Sequence, residues 1–379
     1  MKSKIAKCFC ILLIVSMSFT NVRADVDNLE LSAPSAILME ASTGKVLYEK
    51  DADVPLPPAS VTKVMTLLLT MEAIDDGRLK YTDMITGSAR AKSMGGSTIF
   101  LDEGESLSAE DMIKGIAVAS GNDASVAMAE HLAGSVENFV SMMNKRASEL
   151  GMINTNFVNV NGLDADGHVT SARDIAIMSR ELIKHEDIFR FTTIWMDSLR
   201  NGAFELSNTN KLIRFYDGAT GLKTGSTSKA KCCISATAKR DDMHLIAVVM
   251  ASPTSKERFA DASALLNYGF SSYGIKRNVK KGDALNSAFV DKGDESSVNL
   301  IADMDFNYLY KKGEEETIER KILCSERYSS PIKKGDVAGT VEFYISDNKI
   351  GEITLVFEKD VEKISFIKVY KKILLRFIN

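Results

Sequence analysis

The sequence has few of the residues that build a disulfide framework or a histidine-based metal site. Its 379 residues include five cysteines, four histidines, six prolines and one tryptophan. Cys8 and Cys10 fall in a leader segment, which leaves three cysteines for the mature chain. Adjacent Cys232 and Cys233 would point to opposite faces of a strand, so at most one of them can pair with Cys324. A disulfide scaffold is therefore excluded.

The histidines are scattered along the chain, and no H-E-x-x-H motif occurs. We therefore expect neither a zinc peptidase nor any other metal or cofactor requirement. The formal net charge is only -4, so the composition does not favour a nucleic-acid partner. With 45% hydrophobic residues, a chain of 379 residues can bury a large core and is long enough for two domains.

Residues 1–24 have the features of a secretory signal peptide. Three lysines precede an apolar run from about Phe9 to Phe19, and Ala24 is a small residue before a cleavage point. The mature protein would then begin near Asp25, outside the cytoplasm. A single-pass membrane helix is the alternative, although the apolar run is short for one.

Hydrophobic periodicity predicts an α/β (α+β) domain over residues 25–275, with helices packed on an antiparallel sheet. Two strands around a glycine turn are expected at 36–49, and a helix should follow Pro58 and end at Asp75-Asp76-Gly77. Further helices are expected at 108–119, 123–133, 136–150, 171–185 and 255–268, and a strand pair at 231–239 and 244–251.

Beyond about residue 275 the helical signal gives way to short β-rich runs, which predict a small all-β domain over residues 276–360. The tail at 361–379 has an apolar helical face with Lys368, Lys372 and Arg376 on the opposite side. Such a basic amphipathic helix favours attachment to an anionic membrane surface. A terminal helix docked on its own domain is the alternative.

Ser60 and Lys63 form an S-x-x-K motif at the start of the helix that follows the prolines. Free backbone N–H groups and the positive helix end would favour negative charge on the Ser60 oxygen. Lys63 lies one turn further on the same face, so its amine can reach the hydroxyl. Such a lysine can act as a base if burial or cationic neighbours lower its pKa. Taken alone, Ser60 could also be an ordinary helix cap.

The S-x-x-K pattern recurs elsewhere, but without this setting. The other matches begin at Ser42, Ser228, Ser330 and Ser365. Ser42 and Ser330 fall in predicted turns, and Ser365 falls in the tail. Ser228 begins a predicted strand, where side chains three residues apart point to opposite faces. Local context therefore selects Ser60 as the candidate nucleophile.

Two further motifs follow Ser60 in the chain. Ser120-Gly121-Asn122 lies in a sharp break between two predicted helices, where polar side chains can converge on a cleft. Lys223-Thr224-Gly225 leads into the sheet, and its glycine would let an extended peptide lie against the strand. Lys223 offers positive charge to a substrate carboxylate. A solvated strand-end lysine and a glycine bulge are the alternatives for this last motif.

The order of the three motifs resembles the penicillin-recognising serine enzymes. The segments at 58–63 (PASVTK), 93–97 (SMGGS), 120–124 (SGNDA) and 220–225 (TGLKTG) are similar to those of low-molecular-mass D-alanyl-D-alanine carboxypeptidases, the S11 serine peptidases. The resemblance covers nearly the entire mature chain. It implies the penicillin-binding-protein/β-lactamase-like transpeptidase fold, with an added β-rich domain and a tail that anchors the protein to the outer surface of the cytoplasmic membrane.

By this resemblance, Ser60 attacks the peptide bond between the last two D-alanines of a peptidoglycan stem pentapeptide. Lys63 would be the general base, and Ser120 would relay a proton to the leaving D-alanine. An acyl-enzyme forms and water releases it. β-Lactam antibiotics would acylate the same serine as inhibitors.

The resemblance also implies a set of substrate-binding residues, which are Asn122, Lys223, Thr224, Gly225 and Ser226. Asn122 would hold the substrate and Lys63, and Lys223 would bind the terminal carboxylate. The backbone N–H groups of Ser60 and Ser226 would form the oxyanion hole. Family members often carry histidine at the position of Ser226, so their pH dependence is not carried over.

Several alternatives stay open. A serine β-lactamase would add a glutamate that activates the deacylating water, but the only acids at 154–167 are Asp164 and Asp166. A D,D-endopeptidase of the same fold and a catalytically idle wall-binding protein are other candidates, and a zinc peptidase acting on the same bond is a rival that the scattered histidines argue against. Asp174 is explained by a capping box with Ser171. The sequence leaves the oligomeric state open.

Overall fold

The computed structural model of the chain describes residues 29–368 and Tyr370. The predicted signal peptide at 1–24 and most of the predicted tail helix lie outside the described residues. The strands are β1 Ser35–Glu40, β2 Val46–Lys50, β3 Met84–Thr86, β4 Ser106–Ser108, β5 Met196–Leu199, β6 Phe204–Ser207, β7 Ala219–Thr227, β8 Lys231–Arg240, β9 Met243–Ser252, β10 Tyr273–Val279, β11 Ala284–Asp291, β12 Ser297–Ala302, β13 Phe306–Lys311, β14 Ile318–Cys324, β15 Arg327–Ser329, β16 Val337–Ile345 and β17 Asn348–Phe357.

The helices are α1 Lys63–Asp75, α2 Ala89–Lys92, α3 Ala109–Ala117, α4 Asn122–Ala133, α5 Val136–Glu149, α6 Ala172–Leu182, α7 Phe189–Thr192, α8 Leu212–Phe215 and α9 Ser255–Ser272, with 3-10 turns at Ala59–Thr62 and Glu186–Ile188. The predicted helices and strands up to residue 268 are all found, with ends shifted by a few residues. The mixed helix and sheet architecture predicted for this part is confirmed.

A five-stranded antiparallel sheet supports the candidate site, in the order β2-β1-β9-β8-β7. In β9, the residues from Leu245 to Met250 are all buried. Because successive side chains of a strand point to opposite faces, both faces of the sheet must be covered. Helices α6 and α9 both contact β9. Strand β7 lies at an edge of the sheet.

Helix α1 runs through the apolar core and is buried without interruption from Lys63 to Met71. A helix that is buried all round belongs to the centre of a domain. It begins one turn later than predicted, because Ala59–Thr62 forms a 3-10 turn ahead of it. Ser60 therefore lies in that turn and not in the first turn of α1.

The strands beyond residue 279 bury an apolar core of their own, which includes Leu300, Val341 and Leu355. Six strands pair in the order β14-β16-β17-β12-β11-β15, and β10 pairs with β13. The all-β character predicted for this part is confirmed. The predicted domain boundary between residues 275 and 276 falls within β10 and stays a prediction.

Backbone at 366–368 is helical, and the side chains of Phe366 and Ile367 are 84% and 69% exposed. Within the described part of the chain, no helix has the length and apolar content needed to cross a membrane. The remainder of the predicted amphipathic helix lies outside the described residues.

Cys232, Cys233 and Cys324 are free thiols. The sulfur of Cys233 accepts a hydrogen bond from the Ala251 N–H group at 3.4 Å. Burial raises the pKa of the Cys233 thiol to about 11. This thiol is therefore protonated and unreactive at neutral pH.

Candidate active site

The peptide unit between Ala59 and Ser60 lies in a narrow gap between two glycines. A Cβ atom at Gly162 would lie 1.9 Å from the carbonyl oxygen of Ala59, and one at Gly225 would lie 2.8 Å from the nitrogen of Ser60. Ala59 itself has a left-handed backbone with φ of 48°, which costs energy for a residue with a side chain. Because glycine has no Cβ atom, the backbone at Gly162 and Gly225 can contact this peptide unit from both sides and hold the turn in place.

Lys63 is completely buried and its amine touches three oxygen atoms. The Nζ atom lies 3.1 Å from Ser60 Oγ, 2.6 Å from Asn122 Oδ1 and 2.7 Å from the carbonyl oxygen of Asn161. Burial disfavours the charged amine and holds the pKa of Lys63 well below its ordinary value, and the nearby Lys223 lowers it further. The Asp123 carboxylate acts in the opposite direction as a smaller effect.

These contacts orient the amine for proton transfer. A neutral amine has two N–H groups and one lone pair. The carbonyl oxygen of Asn161 can only accept a hydrogen bond. The same is true of Asn122 Oδ1, which faces Lys63 because the other end of the amide, Nδ2, donates to the Gly95 carbonyl at 2.7 Å. Both N–H groups are then used, and the lone pair faces the Ser60 hydroxyl. Lys63 is therefore placed to take the Ser60 proton.

Ser120 occupies the break between α3 and α4 with a left-handed φ of 64°, and its residue is buried. Gly121 follows, and the Asn122 N–H group donates to the carbonyl of Ser97 at 2.7 Å. Within the described part of the chain, the Ser120 hydroxyl makes no hydrogen bond. The structure thus brings Asn122 directly onto Lys63, with the Ser120 hydroxyl free for another partner.

Lys223 lies inside β7 and not ahead of the sheet. Its side chain is buried, and its amine donates to the Thr224 carbonyl at 2.9 Å. Burial, with a smaller effect from Arg258, lowers the pKa of Lys223 to about 7. The alternative of a solvated strand-end lysine does not match this position. Beside it, the Thr224 hydroxyl donates to the hydroxyl of Thr209 at 2.8 Å.

Arg258 of α9 is a candidate site residue that the sequence did not indicate. Its guanidinium donates to the carbonyls of Gly225 and Cys233 at 3.0 and 3.3 Å and to Ser255 Oγ at 3.0 Å. No carboxylate pairs with either Arg258 or Lys223 within the described part of the chain. Two buried basic groups therefore lie in this part of the site without a carboxylate partner among the described residues. The one available signal was an arginine on the buried face of a predicted helix.

The loop at 159–168 borders the site next to Lys63. The sequence did not indicate that this loop contributes groups to the site. Its Asn161 carbonyl is one of the Lys63 acceptors. The Asp164 carboxylate accepts from the Thr227 hydroxyl at 2.7 Å and so ties the loop to the end of β7. Ser226, one residue earlier, is exposed, with its hydroxyl 3.7 Å from the sulfur of Cys232.

Asp174 serves the packing of α6. Ser171 is the N-cap residue of this helix and its hydroxyl accepts from the Asp174 N–H group at 3.1 Å. The Asp174 carboxylate accepts from the Asn154 N–H group and the Thr155 hydroxyl. The first contact agrees with the capping interpretation, whereas the carboxylate contacts hold residues 154 and 155 and are not part of a capping box.

Comparison with known proteins gives two matching family models. The first, described as D-alanyl-D-alanine carboxypeptidase, matches residues 20–254, and the second, described as penicillin-binding protein 5, C-terminal domain, matches residues 273–363. The D-alanyl-D-alanine carboxypeptidase DacF of Bacillus subtilis is 44% identical over 344 residues, which cover 90% of this chain and 88% of that protein.

Solved structures agree with the family models. Penicillin-binding protein 5 from Haemophilus influenzae aligns with a TM-score of 0.73 and 32% identity, over 88% of this chain and 99% of that one. Penicillin-binding protein D2 from Listeria monocytogenes, in its ampicillin-bound form, aligns with a TM-score of 0.59 and 32% identity. That alignment covers 64% of this chain and 99% of the other.

Proposed function

Because the chain belongs to the D-alanyl-D-alanine carboxypeptidase family, we propose that Ser60 carries the acyl group in its reaction. The protein is a hydrolase of the penicillin-binding type that removes the terminal D-alanine from peptidoglycan peptides. The observation that supports Ser60 is the position of the Lys63 amine, which lies 3.1 Å from the Ser60 hydroxyl. The other two contacts of this amine are with oxygen atoms of Asn122 and Asn161, which accept its N–H groups.

The proposed reaction has two halves. Ser60 Oγ attacks the carbonyl carbon of the bond between the last two D-alanines, and its proton passes to Lys63 Nζ. The C–N bond then breaks, and the leaving D-alanine amine receives a proton through the Ser120 hydroxyl. Water attacks the resulting ester and restores Ser60.

The backbone N–H groups of Ser60 and Ser226 form the proposed oxyanion hole. The close approach of Gly225 to the Ser60 nitrogen holds the turn against β7, the strand that carries Ser226. Loss of one such donor raises the barrier by about 3 to 4 kcal/mol in other enzymes. The free edge of β7 would accept the extended substrate as an added strand.

Lys223 and Arg258 form the proposed site for the terminal carboxylate. Both are buried and neither has a carboxylate partner within the described residues. A carboxylate entering between them would satisfy two cations that the fold otherwise leaves unbalanced. Thr224 and Asn122 would hold the rest of the peptide.

Purified protein incubated with a stem pentapeptide tests the proposal. Wild type should release free D-alanine and form a covalent adduct with benzylpenicillin, whereas Ser60→Ala should do neither. Ser42→Ala is the matched control, because Ser42 heads another S-x-x-K match and its hydroxyl bonds to Glu40 at 3.0 Å. D-Alanine release by the Ser60 variant would contradict the assignment.

The lifetime of the penicillin adduct separates the carboxypeptidase from a β-lactamase. Asp164 is bound to Thr227, and we expect no group to activate the deacylating water rapidly. Intact mass spectrometry should find the adduct persisting for minutes or longer, and turnover within seconds would favour the rival. A crosslinked muropeptide dimer in the same assay tests the D,D-endopeptidase alternative.

The tail at 361–379 is proposed as an anchor on the outer face of the cytoplasmic membrane, after removal of residues 1–24. The exposed Phe366 and Ile367 support this. Lys368, in contrast, pairs with Asp294 at 3.0 Å, as a docked helix would. Full-length mature protein should co-sediment with vesicles containing anionic lipid, and a variant ending at Ile364 should not. Equal binding of the two would favour the docked alternative.

A further inference from the structure

His168 is a buried histidine that no step above uses. Its ring connects the loop at 159–168 with the 3-10 turn that carries Ser60. The Nδ1 atom lies 2.9 Å from the backbone nitrogen of Val158, and Nε2 lies 2.8 Å from the hydroxyl oxygen of Thr62. The Thr62 hydroxyl in turn lies 2.8 Å from the carbonyl oxygen of Ala59.

The direction of these hydrogen bonds follows from the chemistry of the groups. The Val158 N–H group can only donate, so His168 Nδ1 must be the acceptor and the ring proton lies on Nε2. That Nε2–H group donates to Thr62 Oγ1, which leaves the single Thr62 proton for the Ala59 carbonyl. Burial keeps the ring neutral by lowering the pKa of His168 to about 4, against a smaller opposing effect of Asp164.

The last acceptor of this chain belongs to the reacting turn. The Ala59 carbonyl and the Ser60 N–H group are the two ends of one peptide unit. Because this unit is planar, fixing the carbonyl fixes the N–H direction on the opposite side. Ala59 has a left-handed φ of 48°, so the turn needs external contacts to hold it.

We propose that His168 is a positioning residue for acylation, which acts through Thr62 to orient the Ala59–Ser60 peptide so that the Ser60 N–H group faces the developing oxyanion. The inference rests on the proposed role of Ser60 and deepens it. It assigns a function to a side chain that does not touch the substrate. It also predicts that the nitrogen-bound proton on Nε2, and not the ring as a whole, is what matters.

A pair of substitutions separates the two ring nitrogens. The Asn side chain in His168→Asn places an oxygen near the former Nδ1 and keeps an acceptor for Val158, but it cannot reach Thr62. The longer side chain in His168→Gln places an amide N–H group near the former Nε2 and can still donate to Thr62. We expect His168→Asn to lower the second-order rate constant of acylation by a labelled penicillin about 10-fold, a typical effect of one hydrogen bond. His168→Gln should recover much of the loss.

Thr62→Val gives an independent route to the same bond, since it removes only the hydroxyl. Its effect should match that of His168→Asn, and the double variant should be no slower than either single one. Saturation kinetics should place the loss in the acylation rate and not in the initial binding of penicillin.

Thr170→Val is the control for a general loss of stability. It removes a buried hydroxyl contact to Thr155 at 2.7 Å in the same region, without touching the Ser60 turn. If His168→Asn acylates as fast as Thr170→Val at equal folded fraction, the positioning role is overturned. If wild type forms no adduct at Ser60, the proposed function itself fails, so the two failures are distinguishable.

Discussion

Two buried lysines of the site have to be used in opposite protonation states. Lys63 must be neutral to accept the Ser60 proton, and burial with the nearby Lys223 lowers its pKa accordingly. Lys223 must be charged to bind a carboxylate, yet its own pKa is lowered to about 7. Acylation should therefore rise with pH as Lys63 loses its proton and fall as Lys223 loses its own, which gives a bell-shaped profile.

Removing Arg258 should move the alkaline side of that profile. The positive charge of Arg258 disfavours the proton on Lys223, so Arg258→Gln should raise the pKa of Lys223 and keep it charged to higher pH. We expect the alkaline limb of penicillin acylation to shift upward, with lower affinity at all pH values. Lys229→Gln removes a lysine that is 63% exposed and should leave the limb in place. If the alkaline limb of the Arg258→Gln profile is unchanged or moves to lower pH, the electrostatic coupling between Arg258 and Lys223 is contradicted.

Lys223 should also cost the protein stability. Methionine fits the unbranched stem of lysine without a charge. Replacing buried charged groups by apolar residues of similar volume is often neutral or stabilises a fold by about 1 to 4 kcal/mol. In the part of the chain that the structure describes, the Lys223 amine has no carboxylate partner that its removal would leave unpaired. Lys223→Met should thus raise the melting temperature by roughly 2 °C or more while it weakens substrate binding.

The stability gained by Lys223→Met should depend on pH, and the direction of that dependence follows from the pKa of Lys223. Lys223 loses its proton near pH 7 in the folded protein but near its ordinary value of 10.5 when unfolded. The unfolded chain binds more protons between these values, so wild-type stability rises with pH across the window. The advantage of Lys223→Met should therefore shrink from pH 7 to pH 10 in thermal melts. An advantage that grows with pH would show that the amine is not the cause.

At the scale of elements, periodic apolar patterns predicted those segments that bury a continuous face. Strands β8 and β9 and helix α4 begin and end within one or two residues of their predicted limits. The short strands β3 to β6 were missed because three or four residues carry no period that can be recognised. The 3-10 turn at Ala59–Thr62 was missed because local spacing does not separate it from the first turn of a helix.

The candidate site was predictable only where its residues sit in motifs. Ser60, Lys63 and Asn122 meet as the S-x-x-K and S-x-N patterns suggested. Asn161 contributes through its backbone carbonyl, and Arg258 reaches the site through the carbonyls of Gly225 and Cys233, which are at least 25 positions away in the chain. No local pattern encodes such contacts, because they depend on how distant elements pack.

The loop glycine at 162 should be intolerant of any side chain. Gly162→Ala combines a φ of 90° with a Cβ atom 1.9 Å from the Ala59 carbonyl oxygen. Gly167→Ala is the matched control, since φ is 78° but its Cβ atom would meet, within the described residues, only the flexible Asn156 side-chain amide, at 3.7 Å. We expect Gly162→Ala to lower the penicillin acylation rate at least 100-fold and Gly167→Ala to lose only stability, by about 1 kcal/mol. Comparable acylation rates would refute the clamp on the Ser60 turn.

At the scale of the whole molecule, one cluster of buried apolar residues extends up to Met250 and a separate one begins at Val279. The two family models also match separate segments, 20–254 and 273–363. These observations support the proposed division into a catalytic domain over 25–275 and an all-β domain over 276–360.

A fragment of residues 25–275 should therefore fold and react. We expect it to unfold cooperatively and to be acylated by penicillin at a rate within about threefold of that of the mature chain, because every proposed site residue precedes residue 259. Circular dichroism and adduct mass provide the measurements. A fragment that is soluble and folded but inert would place part of the site under the control of the β-rich region.

The two glycines that enclose the Ser60 turn have a consequence for drug resistance. In the proposed mechanism, an antibiotic and the natural cell-wall peptide both present their carbonyl to the Ser60 N–H group. That group belongs to a turn held between two glycines that have no space for even a methyl group. A mutation there cannot exclude the drug and spare the peptide. Escape from β-lactams would have to come from the outer rim of the cleft, where the bulky substituents of the drug extend beyond anything that the two molecules share.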